Sequence, residues 1–68
     1  MNPASELSDR EYQVLCMIGA GKSPTYIAQT LLLSVKTVET YRARILKKLA
    51  LGSTAELMRY ALRTSLVP

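Results

Sequence analysis

The chain has 68 residues, with nine Lys or Arg against five Asp or Glu, no His, one Cys, and neither Phe nor Trp. That length allows one small domain, and a single Cys without His excludes an intramolecular disulfide, a Cys/His zinc cluster and the commonest general base. The net charge of +4 is not spread evenly: residues 34–49 hold Lys36, Arg42, Arg44, Lys47 and Lys48 against Glu39 alone, so this stretch carries the whole excess.

Residues 1–6 read as a short lead-in and residues 7–68 as the domain. The lead-in has no charged-then-apolar signal character, and no apolar run approaches the length needed to cross a bilayer. A cytoplasmic protein is the default expectation. The first predicted helix covers about 9–19. Ser8-x-x-Glu11 is a capping box, in which hydroxyl and carboxylate satisfy two orphan backbone donors. Leu7 is expected to staple the entry, and Gly21 to end the helix. Cys16 reads as a small, half-buried side chain rather than a redox site, because no cation neighbours it and no second thiol exists.

A second helix of about 24–31 follows Ser23, with Pro24 at the first position, where a missing N–H is harmless. Ile27, Ala28 and Leu31 supply its packing face, and the small Ala28 allows another helix to cross closely. Leu32 stands where many helix-turn-helix turns carry Gly.

Ser34 caps the third helix, about 35–50, which Gly52 is expected to end. At 100° per residue, Val38, Tyr41, Ile45 and Leu49 fall on one side, with Val35 and Leu46 at its edge. Lys36, Thr40, Ala43 and Lys47 fall opposite, flanked by Glu39 and Arg44. Charge gathered on one face suits a polyanion. Long cations at both ends, with short side chains between, suit a major groove roughly 12 Å wide. Arg42 lies toward the packed side, so it either snorkels past the core edge or is ion-paired. On pattern alone, a plain helical bundle remains the alternative to DNA binding.

The fourth helix, about 54–64, starts at a second capping box, Ser53-x-x-Glu56. Its apolar arc is wider than one core requires, which suggests a second partner. Met17 and Met58 read as filler. Four short helices joined by short connections make a compact all-α domain with a central helix-turn-helix.

Leu7-Ser-Asp-Arg-Glu-Tyr-Gln-Val-Leu15, Gly21, Ile27-Ala28, Ser34-Val-Lys-Thr-Val-Glu-Thr-Tyr41, Ile45, Lys48-Leu49 and Leu51 together closely resemble the LuxR/NarL/FixJ-type DNA-binding domain. The resemblance covers about residues 7–66 without a gap. It implies a bacterial transcription regulator, with double-stranded DNA as partner and RNA polymerase as a further one, and usually with a receiver or ligand-binding domain ahead of it. It also implies a four-helix domain whose turn commonly lacks Gly. Two positions depart from the family: Tyr41 stands where His is frequent, and Tyr26 where an acidic residue is frequent.

Carried onto matching positions, the resemblance places the base-facing residues at Glu39, Thr40 and Ala43. Glu39 would accept from cytosine N4, and Thr40 or Ala43 would touch a thymine methyl. The alternative for Glu39 is an intrahelical pair with Arg42. Phosphate contacts are expected from Lys36, Thr37, Tyr41, Arg44, Lys47 and Lys48. Lys22 and Thr25 are expected to join them near the N-terminus of the second helix. Glu11 reads first as a cap and structural anchor. The resemblance further implies a homodimer on an inverted-repeat site, through Leu57, Met58, Ala61 and Leu62 of the last helix. A protein-interaction module using that helix, with DNA binding weak or lost, is the alternative. An enzyme is the poorest reading, since no acid–base set can be written; no catalytic residue, cofactor or metal is expected.

Overall fold

The computed structural model describes residues 6–64. Within them every helix begins where a serine hydroxyl is at hand. Ser8 Oγ accepts from the Glu11 N–H at 3.1 Å while the Glu11 carboxylate accepts from the Ser8 N–H at 2.8 Å, opening α1 (Asp9–Gly19). Ser23 accepts from the Tyr26 N–H ahead of Pro24 and opens α2 (Pro24–Leu31). Ser34 accepts from the Thr37 N–H and opens α3 (Val35–Lys48). Ser53 accepts from the Glu56 N–H and opens α4 (Thr54–Arg63). The expected second capping box closes one residue off: the Glu56 carboxylate takes the Gly52 N–H instead of that of Ser53. The lead-in expected over residues 1–6 and the residues beyond Thr64 lie, apart from Glu6, outside the described residues.

The helix ends differ from the sequence expectation in one instructive way. Gly21, at φ +83°, ends α1 as expected, with its N–H donated to the Ile18 carbonyl and that of Lys22 to Met17. The same paired turn ends α3, where the Ala50 N–H donates to Lys47 and the Leu51 N–H to Leu46. There the left-handed residue is Ala50, at φ 56°, and not Gly52. Leu32 is likewise left-handed, at φ 58° and ψ 46°, just after α2. An L side chain in this region costs about 1–2 kcal/mol. At α3 the turn is compensated by Leu46 and Leu51, which flank it and pack against the core.

α1 is the hub of the packing. It lies against α2, α3 and α4, and α2 lies against α3. Val14, Leu15 and Ile18 of α1 meet Ile27 and Ala28 of α2, Val38, Ile45 and Leu49 of α3, and Leu57 and Ala61 of α4 in one core. Ala28 is buried between the two helices of the turn motif, where its single methyl permits close approach. Leu7, Met17 and Met58 pack around this core, half-buried. No helix among the described residues is long and apolar enough to cross a membrane.

Candidate nucleic-acid interface

With Val38, Ile45 and Leu49 turned inward and Tyr41 half-buried against the core, the helical period leaves one face of α3 to solvent. Lys36, Thr40, Ala43, Arg44 and Lys47 are all exposed there, with Glu39 half-exposed at the flank. Among the described residues, the salt bridges are Glu39–Arg42 and Glu11–Lys48, which leaves Lys36, Arg44 and Lys47 without a carboxylate partner. Thr40 Oγ1 donates back to the Lys36 carbonyl at 3.1 Å. Its hydroxyl is thereby tied to the helix, although the residue is exposed.

The N-terminal edge of the motif is also ordered. Ser34 and Thr37 hydroxyls lie 2.9 Å apart, so one donates to the other and the remaining hydroxyl proton is left as a donor at the start of α3. At the start of α2, the Lys22 ammonium sits 4.9 Å above the Tyr26 ring, a cation–π contact. Tyr26 thus fills the position of the absent acid with a ring that holds the cation. Thr25 is exposed beside it.

Lys22, Glu39 and Arg42 come together on a cleft of about 300 Å3, together with Thr54 and the apolar side chains of Ile18, Ile27 and Val38. Arg42, left between two readings from sequence, is ion-paired. Its Nε and Nη2 donate to the two Glu39 carboxylate oxygens, each at 3.2 Å, and its Nη1 donates to Thr54 Oγ1 at 3.0 Å. The i,i+3 spacing of Glu39 and Arg42 signalled the pair. Nothing in the sequence signalled Thr54, because that contact joins two helices.

Lys48 differs from the other cations of α3. Its ammonium donates to Glu11 Oε1 at 2.7 Å and to the Glu6 carbonyl at 3.4 Å. Glu11 is 3% exposed and is the one buried charged side chain among the described residues. The bond from Lys48, then that from the Ser8 N–H, hold its carboxyl below the ordinary range against the opposing effect of burial. Lys48 therefore serves first as a tie between α3 and the α1 cap.

On α4, Leu57 and Ala61 are completely buried in the protein's own core, Met58 is half-buried and Leu62 is 61% exposed. Of the four residues expected at a dimer interface, only Met58 and Leu62 present surface to a second chain. The reason is the helical period, which aims 57 and 61 at α1. Cys16 is half-buried beside Tyr12, whose phenol is pushed up by desolvation and by the thiol. Among the described residues no three potential ligands gather as a metal site.

Comparison with known proteins gives the family. The chain is 48% identical over 59 residues to the transcriptional regulatory protein TdiR of Thauera aromatica, covering 87% of the chain and 26% of that protein. It is 42% identical over 66 residues to the oxygen regulatory protein NreC of Staphylococcus aureus (strain JH9), covering 97% of the chain and 30% of that protein. It therefore spans between a quarter and a third of the length of these relatives. The pattern of the bacterial regulatory proteins of the luxR family matches residues 5–61, which takes in α1, α2, α3 and most of α4. The chain thus belongs to the luxR family of bacterial regulatory proteins, as a helix-turn-helix DNA-binding domain and not an enzyme.

Proposed function

We propose that this domain binds specific double-stranded DNA sequences to regulate transcription, with α3 in the major groove and two copies on an inverted-repeat site. The observation that carries the reading is the exposed face of α3. There Lys36, Arg44 and Lys47 stand unpaired around the short side chains of Thr40 and Ala43, close enough in span for phosphates on the groove walls while the helix axis approaches the bases. In this reading Glu39, the Thr40 methyl and Ala43 meet base edges. Lys22, Thr25, Lys36, Thr37, Tyr41, Arg44 and Lys47 hold the backbone, and Lys48 adds to the field while anchored on Glu11. The exposed Leu62 and the edge of Met58 pair the two copies. Such a protein acts where the chromosome is, in the cytoplasm, and contact with RNA polymerase would follow from its position on a promoter.

Selection from a random duplex library, followed by titrations of the enriched duplex at several salt concentrations, tests this directly. The expected result is a duplex with two related halves, and a logarithmic salt slope of roughly −0.9 per phosphate contacted. Lys47→Ala should weaken all duplexes and reduce the slope by about one, whereas Thr40→Ala should alter preference at particular base pairs. No enrichment and a flat salt dependence would sink the groove assignment. A tight protein complex in its place would favour an interaction module built on α4.

A further inference from the structure

Arg42 belongs neither to the core nor to the outer cationic face of α3, and all three of its guanidinium nitrogens are engaged by partners on two helices. We propose that Arg42 is a specificity-determining positioning residue, which, anchored on Thr54, presets the Glu39 carboxylate for reading a base. The inference rests on α3 being the groove helix.

A glutamate at a groove surface meets two obstacles. Its three rotatable bonds let the carboxylate wander, and its charge is repelled by phosphates. The parallel pair of bonds from Arg42 answers both, fixing the plane of the carboxylate and neutralising it. An i,i+3 ion pair at this exposure would hold geometry poorly by itself. The bond from Nη1 to Thr54 Oγ1, reaching from the middle of α3 to the first turn of α4, supplies the missing constraint. Ile18, Ile27 and Val38 line the same cleft with apolar surface. Each Glu39 oxygen accepts one bond from Arg42 and keeps a second acceptor site. The complementary base edge is cytosine, whose N4 amino group is a major-groove donor. Adenine N6 is also a donor, but its neighbouring N7 is an acceptor that a carboxylate does not satisfy. Arg42 acts through Glu39 and touches no base itself.

The test uses the 68-residue chain, the duplex it enriches from a random library, and single base-pair variants of that duplex. Glu39→Gln identifies the base pair that Glu39 reads. Arg42→Met, Arg42→Lys and Thr54→Val should each relax preference at that same pair, by about tenfold for the two Arg42 variants and less for Thr54→Val. The salt slope should stay unchanged, and adding Glu39→Gln should relax it no further. Arg42→Lys keeps the charge without the fork, and Thr54→Val keeps shape and charge without the anchor, so neither depends on disrupting the fold. The proposal is overturned if Arg42→Lys retains wild-type preference, or if the Arg42 variants weaken every duplex equally with a slope smaller by about one, which would make Arg42 a phosphate contact. If Glu39→Gln alters one pair and the Arg42 variants do not, the positioning role alone fails. If the unaltered chain enriches no duplex, the groove reading fails with it.

Discussion

Glu11 and Lys48 lie 37 positions apart in sequence and form the most buried ion pair described in the protein. Because the folded-state pKa of Glu11 is lowered, its contribution to stability is fully present above the unfolded pKa of about 4.3 and is lost as the pH falls through the lower folded value. Glu11→Gln should therefore destabilise the domain at pH 7 by about 1.5–3 kcal/mol, toward the lower end because Lys48 is partly exposed to solvent. The gap between variant and parent should narrow as the pH falls below the unfolded value and through the lowered folded value of Glu11. Thermal unfolding followed by circular dichroism between pH 7 and 3 measures both, and a gap that does not change with pH would contradict the assignment. At this scale the sequence was readable where partners are local. The Ser8 and Glu11 box and the Glu39–Arg42 spacing fall within one helical turn. The partners of Glu11 and Arg42 on other helices, Lys48 and Thr54, were not readable, since periodicity carries no information about which helices meet.

The four helix starts were legible from their serines, and the α1 end from Gly21. The α2 range of about 24–31 matches Pro24–Leu31, although Leu32 after it adopts backbone angles that composition assigns to glycine, whereas the end of α3 was not legible, because its left-handed residue is Ala50 and not Gly52. Packing overrides the local preference at Ala50, where Leu46 and Leu51 bury themselves on either side of the turn. At Leu32 the side chain is 90% exposed, so no burial of that residue offsets the strain. Leu32→Gly and Ala50→Gly should each raise stability by about 0.5–1 kcal/mol, the relief of the left-handed penalty less the added chain entropy of glycine. Denaturant midpoints read this out, and loss of stability in both variants would show that the side chains matter more than the backbone. How the α4 arc divides between core and surface was not legible for a related reason. A wheel reports which residues are apolar but not how many neighbours claim them, and α1 takes Leu57 and Ala61 entirely.

For the molecule as a whole, the all-α four-helix architecture and the basic face were legible from spacing and charge alone, while family resemblance supplied the direction in which that face is used. The proposed pairing of two copies depends on a small patch, with Leu62 at its centre. Leu62→Asp should abolish cooperative occupancy of a duplex with two half-sites, leave binding to a single half-site intact, and change stability by no more than about 0.5 kcal/mol. Sedimentation of the chain with each duplex distinguishes these outcomes, and two copies still binding cooperatively would place the partner surface elsewhere. The hub position of α1 has a consequence for such a pair. α3 and α4 are both in extended contact with α1, and their described polar link is the bond from Arg42 to Thr54. In the proposed pair, the distance between the two copies of α3 would then be a property of α1, a helix that need touch neither DNA nor the partner. If the proposed pair forms, the bases read belong to α3, whereas the spacing of the two half-sites is set by the core side chains of α1.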